Sequence, residues 1–232
     1  MGIKIQTLKF ENNMGYGIRI TRDDITVQDY LDAINHAILN LDLSRLFTHE
    51  KDCFGCPLCC KDRIPLTMVD IQRLAKSPWI MDIIPEKAKK HREDKLYYIL
   101  RRFSNVSVMG SLVDITMDTS REGICPFLDN VKMICNVYDH RPFVCQSFIC
   151  CPLEEEAMEI RKAIVNEGED ELVKWLYNHA QKEGLSIWYN EANSYQINPD
   201  DFQETAFESK KDYSEIRLKD LLPQKLWNKI RT

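Results

Sequence analysis

The stretch Cys53-Phe54-Gly55-Cys56-Pro57-Leu58-Cys59-Cys60 interrupts an otherwise ordinary globular sequence. Gly55 and Pro57 break helical and strand periodicity alike and make the stretch a loop. Cys53, Cys56 and Cys59 recur every third residue, so one loop offers three sulfurs. The amides of such a loop can point at an anionic cluster or a thiolate-bound metal. All nine cysteines fall between residues 53 and 151, four in 53–60 and five in 125–151, and the 64 residues from 61 to 124 hold none. A buried free cysteine behaves as a small hydrophobe and has no reason to gather at turn spacing. The fold should therefore bring these two windows together around metal.

Three templates can be tested against the residues. The bacterial ferredoxin run needs a fourth cysteine where Arg63 stands, followed by proline where Ile64 stands. The radical S-adenosylmethionine spacing CxxxCxxC begins at Cys56 and Cys60 and fails at the same Arg63. A zinc ribbon requires a second CxxC pair, whereas the second window runs Cys125, Cys135, Cys145, Cys150 and Cys151. All-sulfur ligation suits iron–sulfur and zinc sites equally, and the missing paired knuckle favours an iron–sulfur cluster, of the 4Fe-4S type, with zinc as the alternative.

The candidate ligands are Cys53, Cys56, Cys59, Cys60, Cys125, Cys135, Cys145 and Cys150, with Cys150 preferred to Cys151. Adjacent side chains of an extended segment point apart, so Cys59 and Cys60 should not serve the same ion, and one of them is left for a second site. Eight ligands would make two four-coordinate sites. Seven or fewer would make one site plus buried or reactive thiols. Arg141 is the candidate cofactor-binding residue, a donor to sulfur or an offset to cluster charge. Its competing reading is an ion pair with Asp139. His140 reads as a polar surface residue.

Composition sets the surroundings. The chain has 232 residues, 44% hydrophobic and 29% charged, enough for one substantial core. Net charge is 31 − 36 = −5, which leaves no basic excess for a phosphate backbone and argues against nucleic acid as a partner. No apolar run approaches the ~20 residues of a membrane helix, and residues 1–10 carry no secretory h-region. Gln6 breaks a myristoylation signal at Gly2. The expected compartment is reducing cytoplasm, where clustered cysteines bind metal before they form disulfides, and the expected partner is a protein, not a membrane.

Along the chain, Ile3 and Ile5 alternate, residues 11–15 turn, and Tyr16, Ile18 and Ile20 alternate again, the pattern of a hairpin. Thr26 with Asp29 caps a helix whose apolar face should pack on it, and Thr67 with Asp70 caps a short helix over Met68–Ala75. Tyr97–Phe103 and Ser111–Met117 read as strands, and Cys125–Cys135 as strand, turn, strand with Asp129-Asn130 at the turn. Two helical stripes follow, Leu153 to Ile164 and Leu172 to Ala180, ending at Gly184, then a last helix over Pro223–Ile230. The expectation is an α+β fold: a small mixed, metal-centred core with an N-terminal hairpin and helix (1–52), a cysteine-cluster region (53–152) and C-terminal helices packed on it (153–232), together one globular unit.

The two windows resemble a known family. Cys53 to Cys60 followed by Ile64-Pro65-Leu66-Thr67 and Asp70, then Cys125-Pro126-Phe127-Leu128, Cys135, Tyr138, Arg141-Pro142 and Cys145, are similar in order to the CxxCxxCC zinc- or iron-chelating domain. The resemblance covers about residues 50–152. It implies a metal-chelating or iron–sulfur protein, and since the family includes flagellin lysine N-methylases, it also carries the alternative of a protein lysine methylase-like enzyme. A structural zinc-binding adaptor is a third reading. Gln146 stands where the family often has arginine, and Cys150-Cys151 adds thiols beyond the usual set.

Overall fold

The protein is seen as a computed structural model that describes residues 2–46, 54–119, 123–147, 150–192, 197–198 and 202–232. Cys53 lies outside the described residues. The fold is α+β, as the periodicities indicate.

Strands β1 (Ile3–Phe10) and β2 (Asn13–Ile20) pair antiparallel from Ile3↔Ile20 to Phe10↔Asn13. The turn is only Glu11-Asn12, tighter than the five residues expected, and Glu11 adopts a left-handed φ of 50° to make it. Helix α1 (Val27–Asn40) starts at the anticipated capping box: Thr26 Oγ1 accepts the Asp29 amide at 3.1 Å and the Asp29 carboxylate accepts the Thr26 amide at 2.8 Å. Its buried face, which includes Tyr30, Leu31 and Ile34, packs on β1.

Helix α2 (Met68–Leu74) opens with a second capping box, at Thr67 and Asp70. Ser77 then caps α3 (Pro78–Ile83), with proline at its first turn, where the missing amide costs nothing. A short α4 (Glu86–Lys89) carries the charged run.

The stretch Tyr97–Phe103 is not a strand. It is the second half of helix α5 (Arg92–Phe103). Leu96, Tyr97, Ile99, Leu100 and Phe103 are buried at helical spacing, while Glu93 and Asp94 in the first turn and Arg101 and Arg102 in the last suit the helix dipole. The aromatic and β-branched content of 97–103 imitates a strand only when the window stops short of the acidic turn. The strand partner of β4 (Leu112–Met117) is instead β3 (Ser104–Met109), joined through Gly110, with a two-residue β7 (Glu191–Ala192) parallel to β3.

The two C-terminal stripes belong to one 29-residue helix, α7 (Glu155–Glu183), closed by Gly184 at φ 64°. Gly168 in its middle lets it approach α2: a Cβ there would sit 2.6 Å from Thr67 Cβ and Cγ2. Helices α8 (Leu218–Leu221) and α9 (Gln224–Ile230, with Pro223 as its N-cap) finish the chain. One cluster of buried apolar side chains draws on all parts of the chain, from Ile18 through Leu74 and Ile99 to Leu176 and Trp227. The core is thus apolar; Cys125, Cys135 and Cys145 pack against it, and Cys151 is buried within it.

Candidate metal centre

The first cysteine window is anchored by its own turn and by the strand that leaves it. Gly55 takes φ 80°, a conformation that L side chains avoid, and Leu58–Lys61 close into a 3-10 turn. Residues 64–66 bridge to the free edge of β4 at Pro65 and Thr116: the Leu66 amide donates to Ile115 O at 2.9 Å and the Met117 amide to Ile64 O at 2.8 Å. The second window is tied to the first by the Cys125 amide, which donates to Cys60 O at 2.7 Å. Beyond it, β5 (Leu128–Asp129) and β6 (Ile134–Cys135) form a miniature hairpin whose turn is held by Asp129 accepting the Val131 and Lys132 amides, each at 2.9 Å. Helix α6 (Phe143–Ser147) then presents Cys145.

These three segments turn six thiols, those of Cys56, Cys59, Cys60, Cys125, Cys135 and Cys145, into one cavity of about 40 Å³, walled otherwise mostly by apolar side chains such as Ile64, Met117, Phe127 and Val137. Cys59 and Cys60 share it because a 3-10 turn, unlike an extended segment, does not throw neighbouring side chains to opposite sides. The expected separation of these two residues is therefore not seen. The eight described cysteines are thiols, with no disulfide among them.

The thiols bond to one another. Cys59 sulfur accepts from Cys145 and from Cys60, which holds its pKa well below the ordinary thiol range, and Arg141 adds to the effect. Cys125 is lowered chiefly by the Cys60 thiol, against its own burial, and the amides of Phe127 and Leu128 also donate to its sulfur. The donors Cys60 and Cys145 are raised in turn, chiefly by these contacts and also by burial. Burial pushes Cys135 up to about 11 in spite of the Val137 amide. Among the described residues no three His, Cys, Asp or Glu side chains already stand as a cage for one ion. Loading a metal must replace the thiol protons and open these sulfur–sulfur contacts, since thiolate is the ligating form.

Arg141 lines the cavity. Its guanidinium donates to Tyr138 O at 2.7 Å and to Asn35 Oδ1 at 3.2 Å, and lies 3.9 Å from the centre of the Tyr138 ring. Among the described residues it makes no ion pair with Asp139, and its buried Nε has no partner. Gln146, at the position where the sequence departs from the family's arginine, donates to Arg141 O at 2.7 Å and so holds the backbone of that residue. His140 does not line the cavity.

Cys150 and Cys151 are buried, and neither lines the cavity. The chain around them is held elsewhere: Cys150 O accepts the amide of Leu46, in the segment after α1, at 2.8 Å, and Pro152 O accepts the Tyr16 amide of β2 at 3.0 Å. Burial pushes Cys151 up to about 12. The structure thus gathers six of the eight expected ligands, leaves Cys150 elsewhere, and does not describe Cys53. What the residue pattern did not reveal is the apolar wall and the second contact of the buried Asp70, which beyond capping α2 accepts the Phe143 amide at the start of α6 at 2.7 Å.

A donor set of clustered thiols with a guanidinium beside it defines a protein that chelates metal through sulfur. The chain belongs to the CxxCxxCC family, whose model, described as a "putative zinc- or iron-chelating domain", matches residues 52–215. The match runs more than sixty residues past the last of the clustered cysteines and takes in Tyr213, which donates to Asp70 Oδ1 at 2.6 Å. No curated protein and no solved structure matches the chain. No helix among the described residues is long and apolar enough to cross a membrane.

Proposed function

We propose that the chain holds an iron–sulfur cluster through thiolates of Cys56, Cys59, Cys60, Cys125, Cys135 and Cys145, with Cys53 added by its spacing in the same loop. The role is redox chemistry, sensing or metal handling in the cytoplasm, exercised on a protein partner. The observation that carries this reading is the convergence of six thiols on one cavity. A mononuclear zinc site and a 4Fe-4S cluster each take four thiolates, so six thiols exceed the need of either, and the missing paired CxxC knuckle is what favours the cluster. Amides donating to Cys125 and Cys135 and the unpartnered Arg141 Nε are the hydrogen-bond donors that tune sulfur-ligated iron. When bound, the cluster supplies one-electron chemistry. The protein's part is to position sulfurs, offset their charge through Arg141 and keep water out with the apolar wall.

Zinc is the second reading, favoured by the modest cavity, which as it stands holds only a few water-sized volumes. Anaerobic purification followed by iron, zinc and sulfide analysis beside an absorption spectrum separates the two. Equal iron and sulfide with broad absorption near ~400 nm is the expected result. A colourless protein with stoichiometric zinc replaces the cluster with a structural or regulatory zinc site.

A further inference from the structure

Asp70 is wholly buried, yet it lies outside the thiol cavity. Its Oδ2 accepts the Thr67 amide at 2.9 Å, which caps α2. Its Oδ1 accepts two further donors, the Tyr213 hydroxyl at 2.6 Å and the Phe143 amide at 2.7 Å. Phe143 opens α6, a helix of five residues with Cys145 at its centre. A helix this short has almost no stability of its own, and its first amides have no partner within it. The carboxylate that caps the helix after the first cysteine window thus also caps the start of the helix that carries Cys145.

We infer that Asp70 is a positioning residue for the metal centre: through the Phe143 amide it sets where α6 starts, and so where the Cys145 thiol meets that of Cys59. This rests on the metal-centre reading above. Carboxylate is needed because three donors converge on it, one on Oδ2 and two on Oδ1, and an amide side chain must turn an N–H toward at least one of them. Thr67 Oγ1, which bonds Tyr213 Oη at 2.7 Å, keeps the third donor in place.

The test uses the full chain, freed of metal and kept anaerobic. Iodoacetamide labelling resolved by peptide mapping reads each thiol, and cobalt(II) is the metal probe. Asp70→Asn should raise Cys145 labelling about tenfold or more, the loss expected of one charge-assisted hydrogen bond, with Cys135 nearly unchanged. It should also weaken cobalt binding about 10–100-fold, the range for residues that orient ligands. Tyr213→Phe removes a bond to the same carboxylate but leaves the Phe143 amide held, so Cys145 should label within about twofold of the unmodified chain. Equal Cys145 labelling in the two variants would overturn the inference, because it would mark general loosening. If Asp70→Asn does not fold, Asp70→Glu, which displaces the carboxylate by one methylene, takes its place. If neither folds, deuterium exchange in the unmodified chain decides: slow exchange at the Phe143 amide supports the assignment and exchange at the free-peptide rate refutes it. Absence of a thiolate-to-cobalt charge-transfer band in the unmodified chain would refute the metal reading alone, since labelling is independent of it.

Discussion

Gly168→Ala should destabilise the protein although it improves the helix. Alanine in the middle of α7 gains about 1 kcal/mol over glycine by propensity. The new methyl, however, would lie 2.6 Å from Thr67 Cβ and Cγ2 and 2.9 Å from Phe207 Cε1. Carbon–carbon contacts are comfortable at about 3.5–4.0 Å, so the overlap is about 1 Å. Thr67 cannot rotate away freely, because its hydroxyl accepts the Asp70 amide at 3.2 Å and bonds Tyr213 Oη at 2.7 Å. Either α7 lifts off α2, at the usual overpacking cost of about 1–3 kcal/mol, or Thr67 abandons its cap and hydrogen bond, at about 2 kcal/mol together. After the propensity gain the net loss is about 0–2 kcal/mol, centred near 1 kcal/mol by either route. With an m value of about 2–3 kcal/mol per molar urea for a chain of this size, the urea midpoint should fall by about half a molar with m unchanged. A midpoint equal to or above that of the unmodified protein would mean that the α7–α2 contact is looser than these distances, and the reasoning about Thr67 would fail with it.

Cys59→Ser should abolish stoichiometric metal in elemental analysis, whereas Cys150→Ser should retain it, because only the first sulfur faces the cavity. Arg141→Lys should lower stability by about 1–2 kcal/mol in thermal melts, since lysine cannot keep both the Tyr138 and Asn35 bonds and the ring contact. Glu169, half-buried beside Asp114, has its pKa raised from 4.5 to about 8, chiefly by desolvation of its carboxyl, against the Ile115 amide that donates to it at 2.7 Å. The folded state therefore favours the protonated acid, and stability should be lost as pH rises from about 4.5 through 8. Melting temperatures measured across that window should fall relative to Glu169→Gln, and parallel curves would refute the assignment.

The thiol cluster was largely legible in the sequence: turn spacing marks Cys56 and Cys59, and the bunching of Cys125, Cys135 and Cys145 marks the thiols that join them, whereas Cys60 was expected to point away and lines the same cavity. Capping boxes at Thr26 and Thr67 were equally legible, since side-chain capping is a local matter of residues three apart. Long-range placement was not. Nothing local separates Cys150 from Cys145, yet one is buried away from the cavity, bonded to Leu46, and the other faces Cys59. Tyr97–Phe103 misled because its strand-like residues are also a helix face, and only the flanking charges decide. The merger of the two stripes into α7 places Gly168 between them, where it serves as a contact with Thr67 that only the tertiary structure reveals.

That contact also explains how windows with little regular structure of their own can hold six sulfurs in place. Each window is a set of short turns, and the hydrogen bonds inside them are too few to fix thiols against mutual repulsion once they ionise. The rigidity comes from α7. Gly168 brings it against Thr67, next to the Asp70 that grips α6, and the neighbouring Glu169 accepts the amide of Ile115 in the strand that pairs with residues 64–66. Two consecutive residues of one long helix thus brace both the exit of the first cysteine window and, through Asp70, the start of the helix that carries Cys145. Since metal loading must open the Cys59–Cys145 and Cys60–Cys125 contacts, this bracing confines the movement to the turns that carry the sulfurs and leaves the apolar core undisturbed.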